Sequence, residues 1–195
     1  SSLATTAEFD VAGAMVVNGT LKPGSLSTCY LRADTAQAGS LWLGPGAVLA
    51  MAAAMPFEAQ PGTSFTLAGT AANPVQVECT VPTGTLGNFI LGGNVSIAYS
   101  TFSNLNSLGL QLTSPAGHTV SASNVSFAAS GANASDSQHM LVSGGAWQNY
   151  VFVGFSFPIG SNANNPAYAV QSAQNIRFRY YDTSAGCMYG DPATD

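Results

Sequence analysis

The stretch NVSIAYSTFSNL, residues 94–105, alternates apolar with small polar side chains and carries no charge and no proline. A period of two predicts a strand with one buried face. Similar segments recur along the chain. VVNGTLKPG (16–24), LWLGPGAVL (41–49) and FTLAGTAAN (65–73) place Gly19, Gly44 and Gly69 in equal steps of 25. Phe102, Phe127, Phe157 and Tyr181 close four later segments in steps of 25, 30 and 24, and one step back from Phe102 reaches Val77. A second apolar piece follows a polar turn in these units, as in LGLQL (108–112), HMLV (139–142) and AYAV (167–170). GANASDSQ (131–138) and GSNANNP (160–166) read as inserted loops.

A repeat near 25 residues, built of short β-type pieces and punctuated by Gly, Asn and Pro, predicts a solenoid. Leucine-rich repeats share the period, but their leucine ladder is missing, and no segment holds a 3.6-residue period. The expected unit is one rung of a parallel β-helix, its strands about 4.8 Å apart. Val77, Phe102, Phe127, Phe157 and Tyr181 are the expected inward ladder. A β-sandwich with evenly spaced strands is the competing fold.

GTSFTLAGTAANPVQVEC (62–79) resembles a segment of bacterial right-handed parallel β-helix repeat proteins, of the pectate-lyase-like superfamily. NVSIAYSTFSNL and SASNVSFAASG (121–131) resemble their later rungs, so the likeness spans residues 11–186. It implies an all-β, single-stranded right-handed parallel β-helix (solenoid) of about 25 residues per rung. The expected organisation is one domain: an N-terminal extension (1–10), rungs (11–186) and a C-terminal tail (187–195). Enzymes, tailspikes and passive surface proteins share that superfamily, so the resemblance speaks to fold more than to function.

Charged residues make up only 7% of the chain, against about 25% in an average soluble domain. Net charge is −5 with four basic residues, too few to neutralise a nucleic-acid backbone or to seek anionic lipid. The run Leu41–Phe57 is broken by Gly44, Pro45, Gly46 and Pro56, so no membrane-inserted span is expected. Many Ser, Thr, Asn and Gly with few charges suit an extracellular or cell-surface setting.

The resemblance implies what an enzyme on this scaffold would need: clustered aspartates for hydrolysis, or a basic residue with calcium-holding acids for a lyase. Folded on the 25-residue period, Glu8, Asp10, Arg32, Asp34 and Glu58 fall at nearly one phase, with Glu8, Arg32 and Glu58 alternating in sign. They form either a small-cation or glycan edge, calcium being a possible ion, or a solvated row of opposite charges. No other cofactor and no metal site is expected. Glu78 stands alone at its phase, Asp136 in the 131–138 loop lies close in sequence to His139, as a weak metal or acid/base pair or as loop decoration, and His118 reads as a turn residue.

Trp147 and Tyr150, in GGAWQNYVFVGF, are candidate glycan or partner contacts, and a core position is the alternative for such aromatics. Arg177 and Arg179 alternate with Ile176 and Phe178. They could grip acidic groups, or keep a sheet edge soluble. Cys29 and Cys79 lie 50 residues apart, two periods, or about 9.6 Å at equal phase. That is too far for a disulfide. Cys187 is the candidate intersubunit or tail thiol. The ends of a β-helix carry unpaired backbone groups, so end-to-end self-association is expected. The functional expectation is an extracellular structural or adhesive β-helix, not an enzyme, able to assemble as a filament or surface layer. A carbohydrate-binding or polysaccharide-degrading β-helix (lyase or glycoside hydrolase) is the main alternative. A phage fibre or tailspike segment is the other.

Overall fold

The computed structural model describes residues 8–23, 28–33, 38–113, 115, 117–128, 139–143, 150–157, 168–170, 176–179 and 182–183. All its regular elements are strands. The first rung is β1 (Glu8–Val11), β2 (Ala14–Val17) and β3 (Thr20–Leu21). The second is β4 (Thr28–Leu31), β5 (Ser40–Leu43) and β6 (Val48–Met51). The third is β7 (Phe57–Ala59), β8 (Ser64–Ala68) and β9 (Val75–Cys79). The next two rungs are β10 (Phe89–Leu91) with β11 (Asn94–Phe102), and β12 (Leu110–Leu112) with β13 (Val120–Phe127). They are followed by β14 (Met140–Val142), β15 (Tyr150–Val153) and β16 (Ser156–Phe157), then β17 (Tyr168–Val170), β18 (Ile176–Arg179) and β19 (Asp182–Thr183).

Every strand pairing is parallel and joins one rung to the next. The first face stacks seven strands in the order β1-β4-β7-β10-β12-β14-β17. The second runs β2-β5-β8-β11-β13-β15-β18. The third starts with β3, β6 and β9 and rejoins β11 and β13, which bend to serve two faces each. The chain is therefore a parallel β-helix, and the β-sandwich is excluded. The coil begins no later than Glu8, inside the expected N-terminal extension.

The period is less regular than the sequence suggests. On the first face Glu8 to Thr28 is a step of 20, Phe57 to Phe89 one of 32, and Phe89 to Leu110 one of 21. Insertions at the corners absorb these differences while the strands stay in register. Gly19, Gly44 and Gly69 all sit at the bend between the second and third faces, but not at one position. Gly19 precedes β3, whereas Gly44 and Gly69 follow β5 and β8. Their equal spacing comes from corners of unequal length.

Inward side chains fill the coil. Phe57 and Phe89 stack with centroids 4.8 Å apart, and Phe102 and Phe127 stack at 5.8 Å. Phe89 meets Phe102 edge-on at 5.7 Å, which joins the two pairs into one aromatic column. It continues through Phe155 to Phe152, both buried. The expected ladder holds from Val77 through Phe102 to Phe127. Its last member is corrected: Phe157 pairs with Thr183, not Tyr181, because the final step is 26 residues.

Candidate functional site

Among the described residues, three surface features stand out for side-chain chemistry. The first is the charged edge. Asp10, Tyr30 and Glu58 occupy one outward row on β1, β4 and β7. Arg32, just past the end of β4, reaches back one rung. Its Nε donates to Asp10 Oδ1 at 2.7 Å and its Nη2 to Glu8 Oε2 at 2.9 Å. The guanidinium also lies 4.1 Å from the Tyr30 ring centroid. The Asp10 hydrogen bond holds the Arg32 guanidinium above its ordinary value, with both carboxylates adding to the effect. Arg32 thus bridges two acids of the first rung. Among the described residues Glu58 makes no ion pair, so the sign alternation Glu8–Arg32–Glu58 does not form. Asp34 lies outside the described residues. No group of three or more His, Cys, Asp or Glu among the described residues could hold a metal ion.

The second feature is a groove of about 440 Å³ on the third face, lined by Lys22, Glu78, Thr80, Ser103 and Asn104, with Cys79 beside them. Glu78 pairs with Ala50 in the ladder, and Lys22 follows Leu21, which pairs with Leu49. Glu78 is therefore not alone at its phase; it shares a row with Lys22, two rungs away. A phase count of 25 hides this, because both steps on this face are 28 (Leu21 to Leu49, Leu49 to Val77).

The third feature is a groove of about 360 Å³ at the bend between the second and third faces. Tyr99, Thr101, Asn124, Ser126, Gly154 and Thr70 are among its lining residues. The bend is made by left-handed backbone at Tyr99 (φ 46°), Asn124 (φ 53°) and Gly154 (φ 69°). Ala98 pairs with Ser123 and Ser100 with Val125, which sets Tyr99 opposite Asn124. The pairs Ser123–Val153 and Ser126–Ser156 set Asn124 opposite Gly154. A Cβ at Gly154 would lie 2.5 Å from Asn124 Oδ1, so the asparagine amide occupies the space a side chain there would need.

The thiols are buried and separate. Cys29 lies on the first face opposite Phe57, and Cys79 on the third opposite Met51. Both are free. They lie on different faces, so the expected equal phase does not hold. Burial, and then the charge of Asp10, push the Cys29 thiol from 9.0 up to about 12. It is an unreactive thiol at neutral pH. Cys187 and Trp147 lie outside the described residues. Tyr150 opens β15, opposite Ile176 of β18. Arg177 and Arg179 hold the β18 positions opposite Val151 and Val153.

Both histidines serve the fold. His118 Nε2 accepts a hydrogen bond from the Gly62 backbone N–H at 3.0 Å, and its Nδ1 lies 3.3 Å from the Pro115 carbonyl oxygen. That pairing fits the tautomer with its proton on Nδ1. His139 is buried, its ring 5.6 Å from that of Phe127. Sequence reading missed Lys22 and Tyr99.

No family model, no curated protein and no solved structure matches this chain. The fold defines the class of protein, a parallel β-helix repeat protein, and its surface features bear the functional reading.

Proposed function

We propose that this chain is a structural or adhesive β-helix protein of the cell exterior, assembling end to end through its first rung. The observation that carries the reading is a contrast between neighbouring rungs. Leu41, Leu43 and Leu49 of the second rung are completely or almost completely buried. Their ladder partners in the first rung, Met15, Val17 and Leu21, pack against the core yet stay only partly buried, as does Phe9 opposite Cys29. Among the described residues β1, β2 and β3 each pair on one side only. An apolar rung paired on one side only, as this one is among the described residues, is a template for another rung. The partner is a second copy presenting its last rung, a heterologous contact that propagates.

A non-catalytic role is supported by the grooves. Among the described residues, the third-face groove holds one carboxylate, Glu78, and no carboxylate lines the corner groove. A two-carboxylate hydrolysis needs a facing pair. The scarcity of charge, with many Ser, Thr, Asn and Gly, supports a surface setting.

The test is the double variant Met15→Lys, Val17→Lys. Both side chains are half-buried on the outermost described rung, where lysine can carry its charge out to water. Sedimentation should show assembly in the wild type and a monomer in the variant, with an unchanged β-sheet circular dichroism spectrum. Equal assembly by both would remove the first rung from the joint.

A further inference from the structure

The corner groove holds an aromatic residue in a costly place. Its bend needs left-handed backbone, which asparagine and glycine adopt readily and bulky residues do not. Asn124 and Gly154 meet that need on the next two rungs. The same position one rung earlier holds Tyr99 at φ 46°, with 38% of its surface exposed. Exposure leaves part of the ring without packing to offset the strain. A strained, exposed aromatic where the fold itself supplies cheaper residues points to a use outside folding.

The chemistry around Tyr99 narrows that use. Among the described residues, no charged side chain lines the groove. Thr101 and Ser126 stand in register on successive rungs, and Thr70 and Asn124 add a hydroxyl and an amide. A nucleic acid would need cations to meet its phosphates. An extended peptide would need an open sheet edge, whereas here the strands on either side are paired. A planar aromatic face among neutral hydroxyl and amide groups suits a ligand with apolar ring faces and many hydroxyls.

We infer that the bend between the second and third faces is a binding groove for a neutral carbohydrate chain, with Tyr99 as its stacking platform and Thr101, Ser126 and Asn124 as hydrogen-bonding partners. The groove runs across rungs about 4.8 Å apart, so consecutive sugars would meet similar positions. The site does not depend on end-to-end assembly, because it lies on the lateral surface away from the first rung.

The experiment is calorimetric titration of the full chain with cellohexaose, laminarihexaose and mannohexaose, and with hexagalacturonate as the acidic comparison. At least one neutral hexasaccharide should bind saturably and more tightly than hexagalacturonate. Tyr99→Asn places at the bend the residue that Asn124 already is there. Its thermal midpoint should equal or exceed the wild type's, while affinity falls by at least ~10-fold, as for loss of an aromatic anchor. Thr101→Val should also weaken binding. Failure of all three neutral probes to bind would overturn the inference, as would unchanged affinity in Tyr99→Asn. Equal or tighter binding of hexagalacturonate would overturn the neutral class.

Discussion

Phe89 stacks on Phe57 one rung away, with ring planes 15° apart. Phe89 also meets Phe65 at 6.0 Å and Phe102 at 5.7 Å, so it joins three faces of the coil. Phe89→Ala would open a cavity that the ladder-paired strands of the three faces cannot close. The expected cost is about 3–5 kcal/mol, read as a lower denaturant midpoint. Leu108→Ala is the control, because Leu108 is exposed; it should shift the midpoint little.

Gly69 marks where the corner is tightest. A Cβ there would lie 2.1 Å from the Tyr99 carbonyl oxygen and 2.8 Å from the Val75 nitrogen, both backbone atoms that cannot rotate away. Gly69→Ala is expected to destabilise by about 1–3 kcal/mol, the usual cost of overpacking. Gly19→Ala should cost less, since nothing lies within 4 Å of a Cβ built there. Thermal unfolding of the two variants side by side checks the contrast.

Cys29 predicts a pH dependence. Its thiol is pushed from 9.0 up to about 12, first by burial and then by Asp10. Below pH 9 folded and unfolded thiols are both protonated, and the stabilisation is fully present. Between pH 9 and 12 the unfolded thiol releases its proton and the folded one keeps it. The unfolded state then binds fewer protons, so stability falls as pH rises. The loss is at most about 4 kcal/mol for a three-unit shift. Subtracting the denaturant stability of Cys29→Ala at each pH isolates this slope from the tyrosines and Lys22. The difference should be flat below pH 9 and decline above it.

The parts legible in the sequence are those where no insertion falls between rungs. Val77, Phe102 and Phe127 are 25 residues apart and stand in one ladder. Lys22 and Glu78 were not connected, because corners in those rungs stretch each step to 28. Tyr99 did leave a signal. Ile97 and Phe102 are both buried, yet five residues apart, and strict alternation cannot put both inside. One residue between them must break the alternation, and Tyr99 at the bend does so. Ala122 and Val125 carry the same signal for Asn124. Arg32 takes its partners by reach. A long side chain past the end of a strand selects the two acids on the neighbouring strand, whatever the phase count favours.

The apolar first rung is the proposed joint between copies of this chain. Light scattering of the purified protein over a hundredfold concentration range, with electron microscopy of the same samples, tests it most directly. Mass should rise with concentration, and the particles should lengthen along one axis at constant width. A constant monomer mass across the whole range would contradict it.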